Sequence, residues 1–210
     1  MNLTLLVLVP LVTAFAIIPC KGIKQVRAVS LLGASMQLAL GITLLIFFWQ
    51  ERGAGNTAAM LFESNYSWFK PLNINYHVGV DGISIAMILL TSFVVVTGIL
   101  VSSSIESMGK EFFFLLLFLS VGAYGFFISL DLFTLFFFLE VSVIPKFLLI
   151  GIWGSGKKEY SAMKLALMLM AGSAFVLVGL LGLYFNTNTG SGSHTFDLLL
   201  ISHTLVPVGR

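Results

Sequence analysis

Apolar residues run in long blocks along this chain, and polar residues gather in the short stretches between them. Six blocks, at about 2–19, 28–49, 82–103, 112–129, 131–153 and 162–185, approach the ~20 residues a helix needs to cross a bilayer. The connection from Ser129 to Asp131 is so short that the fourth and fifth spans must form a tight antiparallel pair. Ser129 or Asp131 would cap the fifth helix and satisfy its free N–H groups. Between the second and third spans the pattern changes. Leu72, Ile74, Tyr76, Val78 and Val80 alternate with Asn73, Asn75, His77 and Gly79, and a period of two predicts a half-buried strand or hairpin. Trp68 and Phe69 suit the membrane interface, and Asp81 reads as the N-cap of the third helix. Residues 186–210 are Gly/Ser-rich at first, then weakly apolar from Phe196 to Val208, and are too short to span.

The predicted fold is an all-α membrane protein of about six transmembrane helices with a short β-like loop on one face. Its organisation divides into residues 1–110, with three spans and the loop 50–81; residues 111–186, with spans four to six; and a tail, 187–210. Composition agrees, since 58% of the 210 residues are hydrophobic and only 10% charged, against about 25% charged in soluble domains. A soluble monomer is excluded, because the polar residues could not cover its surface. No basic cluster suggests nucleic acid. Cys20 stands alone, which rules out an internal disulfide and a cysteine-based metal site. No charge precedes Ile18, so residues 2–19 read as a retained helix and not as a secretory signal.

Charge placement orients the spans. Lys21, Lys24, Arg27, Lys110, Lys157 and Lys158 fall in loops on one side, and Arg52 and Lys70 on the other. The first side is therefore expected to be cytoplasmic, or its organellar equivalent, with the β-like loop and both ends of the chain outside.

Among the polar residues, Glu140 is the most costly. Nine residues at 1.5 Å each place it about 14 Å below Asp131, near the middle of a core about 30 Å thick. A carboxylate there costs on the order of 3 kcal/mol on insertion scales and is too short to reach either surface. It reads as a proton relay, the alternative being a structural hydrogen bond to a neighbouring helix. Pro145 removes a helical hydrogen bond five residues later and should kink the span. Lys146, about 22 Å in, is expected to snorkel to the cytoplasmic side. Lys164, near the start of the sixth span, is either another snorkelling lysine or a proton entry point. His77, His194 and His203 lie in non-spanning segments without metal spacing and read as surface residues. Ser120, Gly122, Ala123 and Gly125, then Ala171, Gly172, Ser173 and Ala174, suggest that spans four to six pack closely. No phosphate loop, nucleotide motif or nucleophile constellation is present in the sequence.

The run Phe136–Gly154, with Glu140, Pro145 and Trp153 in an aromatic apolar helix, resembles the fifth helix of the antiporter-like subunits of respiratory complex I. Within that group the resemblance is to the subunit M, or chain 4, type. Val80-Asp81-Gly82-Ile83-Ser84, Ala162-Met163-Lys164-Leu165 and Ala171-Gly172-Ser173 match further stretches in order. The resemblance implies part of a larger fourteen-helix fold, of which this chain reads as the N-terminal portion. It implies proton translocation coupled to quinone reduction performed elsewhere, with Glu140 in proton transfer, Lys164 matching a family lysine, and Pro145 and Asp81 in structural roles. Lys146 departs from the family, which usually has an apolar residue after the proline. NADH, FMN, iron–sulfur clusters and quinone are expected in other subunits, with no cofactor or metal here. The implied partners are the other membrane subunits of complex I in an energy-transducing membrane. A subunit of a cation/proton antiporter or a membrane-bound hydrogenase is the alternative.

Overall fold

The computed structural model describes residues 2–102, 105, 107–187 and 194–203, the side chains of Pro71 and His203 excepted. In chain order it has α1 (Leu5–Ile17), α2 (Ile23–Gly53), β1 (Leu61–Phe69), a 3-10 turn (Lys70–Leu72), β2 (Ile74–Val80), α3 (Gly82–Val101), α4 (Gly109–Ile128), α5 (Leu132–Val141), α6 (Val143–Trp153), α7 (Lys158–Asn186) and α8 (Leu198–His203).

Among the described residues, five helical stretches are long and apolar enough to cross a membrane: α2, α3, α4, α5 with α6, and α7. The first expected span is the short one. α1 has 13 residues, about 20 Å of rise, because its helix begins after Thr4 and stops just before Pro19. Pro10 lies inside α1 and brings no N–H to the ladder. The carbonyl of Leu6, four residues earlier, instead accepts a 2.8 Å hydrogen bond from Nε2 of the buried Gln37 on α2.

The helices pack as a bundle in which, of the five long stretches, α4 is the most enclosed and α7 the least. α4 touches α1, α3, α5 and α6. Leu3, Leu6, Leu44, Val78, Val80, Ile88, Tyr124 and Phe138 belong to one buried cluster, so the start of the chain and β2 sit at the same end of the bundle. That end is the hairpin end. The opposite end carries the lysines. There Arg27 donates to Ile105 O (3.1 Å), Trp153 Nε1 to Ser107 O (3.1 Å), Lys158 Nζ to Ile152 O (2.8 Å), and Lys110 Nζ to Ile18 O.

β1 and β2 form an antiparallel hairpin, pairing Ser64 with Val78 and Tyr66 with Tyr76. The alternation expected along 72–80 holds only in part. Leu72 falls in the 3-10 turn and is exposed, whereas His77, Val78, Gly79 and Val80 are buried in succession. Both faces of β2 are covered there, the second by residues 194–203, which return over the hairpin with Asp197 on His77 and His194 O on Asn73 Nδ2, and which are held to α7 by Phe196 stacked on Tyr184 (ring centroids 4.3 Å apart).

Close packing of the small residues is realised on α4 and not on α7. A Cβ on Gly125 would lie 2.2 Å from the Phe138 ring, and one on Gly122 would lie 2.8 Å from Ser142 Cβ. Gly172, by contrast, has no heavy atom within 4 Å of its Cβ position, and Ala171 and Ala174 are exposed. The outward face of α7 shows Met163, Leu167, Met168, Phe175 and Val178, an apolar surface suited to hydrocarbon or another helix.

Candidate proton-transfer site

The fifth span starts at a heavily pinned cap. Asp131 is fully buried. Its Oδ1 accepts from the N–H groups of Phe133 (3.0 Å) and Thr134 (3.1 Å), and its Oδ2 from Asn75 N on β2 (3.2 Å). Thr134 Oγ1 donates to Asn75 O, and Leu130 N to His77 O. The cap expected at Ser129 or Asp131 is thus Asp131, which also fixes α5 to the hairpin. Asp131 lies one residue outside the span Leu132–Trp153. Burial pushes its carboxyl above the usual range, against the backbone donors of Thr134, Asn75 and Phe133, and the charge of Asp197 pushes the same way as burial. Asp81 caps α3 as expected, accepting from Ser84 N at 2.7 Å.

Glu140 is the penultimate residue of α5. Its Oε1 is buried and, among the described residues, has no hydrogen-bond partner. Two residues on, the helix breaks. Pro145 has no N–H to give Val141 O, and Ser142 turns out of the ladder, with both its N (3.2 Å) and its Oγ (2.7 Å) donating to Leu139 O. The expected kink is a local interruption at Ser142, between α5 and α6, where the ladder is broken while the backbone stays close to helical (φ −78°, ψ −14°).

Lys146 does not snorkel. Its Nζ donates to Ser142 Oγ at 3.0 Å, one turn back toward the hairpin end and away from the lysine-rich end. The reason is spacing, since Ser142 lies four residues back on the same helix face and presents a hydroxyl closer than the surface. Lys146 and Ser142 border a cleft of about 580 Å³ between α3, α4 and the broken span, with Leu139, Ser120 and Gly122 also on its wall. Glu140 and Lys146 form no ion pair; among the described residues the ion pairs all involve His77. Lys164 lies exposed near the start of α7, with no hydrogen bond or ion pair among the described residues, and is not joined to Glu140.

His77 corrects the expectation of a surface histidine. It is buried, with Nδ1 2.8 Å from Asp197 Oδ2 and Nε2 3.6 Å from Glu63 Oε2. Asp197, equally buried, caps α8 by accepting from Leu199 N and Leu200 N. His194 is partly buried, with Nδ1 2.8 Å from Thr187 O. The side chain of His203 falls outside the described residues. Period-two reading missed His77 because it assumed one wet face. The cap-like Thr195-Phe196-Asp197 before an apolar run was the signal that residues 194–203 are structured.

The fold and the site define a polytopic helical membrane protein with an unpartnered carboxylate oxygen beside a helix break. Residues 129–205, from the Asp131 corner through Glu140, match the family described as NADH:quinone oxidoreductase/Mrp antiporter, transmembrane. The chain is 36% identical over 185 residues to the NAD(P)H-quinone oxidoreductase chain 4-2 of Synechocystis sp., covering 87% of this chain and 32% of that protein. It is 32% identical over 197 residues to the chloroplastic chain 4 of Ipomoea purpurea, covering 93% and 38%. Its fold matches a chain of respiratory complex I from Thermus thermophilus with bound NADH (TM-score 0.80, 22% identity, 99% of this chain and 40% of that one). It also matches a chain of a membrane-bound sulfane sulfur reductase, an archaeal respiratory complex (TM-score 0.69, 22% identity, 90% and 39%). Residues 129–205 thus carry the transmembrane region of this family, the chain as a whole is similar to its antiporter-like subunits of the chain 4 type, and it spans about a third to two fifths of the length of the curated relatives it matches.

Proposed function

We propose that this chain supplies part of a proton-translocating membrane subunit of an NADH:quinone oxidoreductase, with Glu140 as a proton-transfer group. The observation that carries the reading is Glu140 itself, a carboxyl with a buried, unpartnered oxygen in mid-span, immediately before a break at Ser142. Such an oxygen costs about 1–3 kcal/mol unless a proton or a passing water satisfies it, and intramembrane carboxyls mark proton pathways. The break supports the role, because it leaves hydroxyl and carbonyl groups at membrane depth where water can bind. Lys164 would take up protons near the lysine-rich end, which would face the cytoplasm or its equivalent. Pro145 and Asp81 hold the broken span and α3 in place.

In this reading the redox chemistry belongs to other subunits, which hold NADH, FMN, the iron–sulfur clusters and quinone, and this chain needs no cofactor. Its partners are neighbouring antiporter-like subunits in an energy-transducing membrane. The family description also names the Mrp antiporter, so a cation/proton antiporter subunit is the second reading. Pumping driven by NADH oxidation separates the two.

The test is Glu140→Gln in the full-length subunit, assembled and reconstituted in vesicles. Proton pumping should fall by at least about tenfold, since a positioned proton-transfer group typically contributes that much or more, while assembly on native gels is unchanged. Pumping at the parent rate would overturn the proposal.

A further inference from the structure

The hairpin end holds a second set of titratable groups, and its exposure is graded. The Glu63 side chain on β1 is 43% exposed, His77 on β2 is 8% exposed, and Asp197 before α8 is 6% exposed. The imidazole stands between the two carboxylates, with Nε2 toward Glu63 and Nδ1 on Asp197. Asp131 adjoins them, bridging Asp197 through the backbone at the head of α5. Among the described residues of the hairpin, the 194–203 segment and the α4–α5 corner, these are the titratable groups at His77.

A merely structural histidine explains this poorly. The hairpin, the α4–α5 corner and the 194–203 segment are already tied by backbone bonds, His77 O with Leu130 N, Leu132 N with Phe196 O, and Leu198 N with Leu130 O. Val78 and Val80 show that aliphatic side chains fill β2 here at no polar cost. An imidazole flanked by carboxylates at both nitrogens is instead arranged to pass a proton through its ring, since either nitrogen can donate or accept.

Resting on the proposed proton translocation, we infer that Glu63, His77 and Asp197 form a proton-exchange relay between water at the hairpin end and the buried corner at Asp131. The step balances within the three groups. Protonated Glu63 gives its proton to Nε2, Nδ1–H passes its proton to the Asp197 carboxylate, and the ring is left neutral with the proton on the other nitrogen. Once Asp197 has released its proton inward, the first tautomer returns by exchange with water, which takes the Nε2 proton and supplies one to Nδ1. Run backward, the same path discharges protons to the surface.

The experiment uses the full-length subunit in its assembled complex in vesicles, with His77→Ala, His77→Asn and Glu63→Gln, and with Glu140→Gln as control. His77→Ala should slow proton translocation by at least about tenfold, and added imidazole should recover much of the loss because a diffusible base can occupy the gap. His77→Asn, which keeps a donor for Asp197 and cannot relay, should be slow as well. Parent rates in His77→Asn overturn the inference, and so does a loss in His77→Ala that imidazole does not relieve. If the His77 variants fail to assemble, Glu63→Gln decides, because its side chain is partly in water. A severalfold slowing relieved by imidazole supports the relay, and an unchanged rate overturns it. Loss of pumping in Glu140→Gln alone removes the relay and leaves the proposed function standing; parent rates in Glu140→Gln remove both.

Discussion

Gln37 lies between two helices, and one of them cannot complete its own ladder. Pro10 leaves Leu6 O without its helical donor, and Gln37 Nε2 supplies one from α2. Gln37→Leu should therefore destabilise the bundle by about 1–3 kcal/mol, the cost of stranding a buried carbonyl, read as a lower melting temperature in detergent. An unchanged melting temperature would show that the carbonyl finds another donor. Gly125 is constrained differently, by space. Phe138 occupies the volume that any side chain would need, so Gly125→Val should force α4 and α5 apart at a cost of about 1–3 kcal/mol. The same substitution at Gly172 on α7 has nothing to displace within the chain and should leave its melting temperature unchanged.

At the scale of elements, the broken span joins the hairpin to the middle of the membrane. Its head is Asp131, whose carboxyl burial holds above the usual range. The folded state keeps this proton to higher pH than the unfolded chain. Its contribution is therefore favourable below the unfolded carboxylate value, about 4, and stability falls as pH rises through the folded value. Asp131→Asn retains a carbonyl to accept from Phe133 N and Thr134 N but has no charge to bury. Melting temperatures measured from pH 4 to 7 should fall less steeply in this variant than in the parent, and parallel curves would contradict the assignment. Much of this element was legible in the sequence: the tight Ser129–Asp131 corner, the cap, Glu140 in mid-span and the break caused by Pro145. The direction of Lys146 was not, because depth along an ideal helix says where the surface is and nothing of which way the side chain turns when a hydroxyl lies one turn back. His77 escaped for a related reason. Alternation describes a strand with one covered face, and the second cover comes from residues 120 positions further along, which no local pattern reports.

For the whole molecule, the two ends differ in charge, and that difference is the basis for the proposed orientation. Lys110, Lys158 and Arg27 make their hydrogen bonds at the end opposite the hairpin. Cys20 lies there too, between α1 and α2, partly exposed and without a disulfide partner. It is a natural probe, since the sequence holds a single cysteine. If lysine-rich loops stay on the cytoplasmic side, about six cations against two at the other end would decide the insertion. A maleimide that cannot cross the bilayer should then label Cys20 in inside-out vesicles and leave it untouched in right-side-out ones. The complementary variant carries Cys20→Ser with Asn56→Cys, placing the thiol in the exposed loop between α2 and β1. It should show the reverse pattern. Labelling of Cys20 from the outer face would invert the molecule. The hairpin end, with Glu63 and His77, would then face the compartment that supplies protons, and the relay would run inward toward Asp131 as an uptake path.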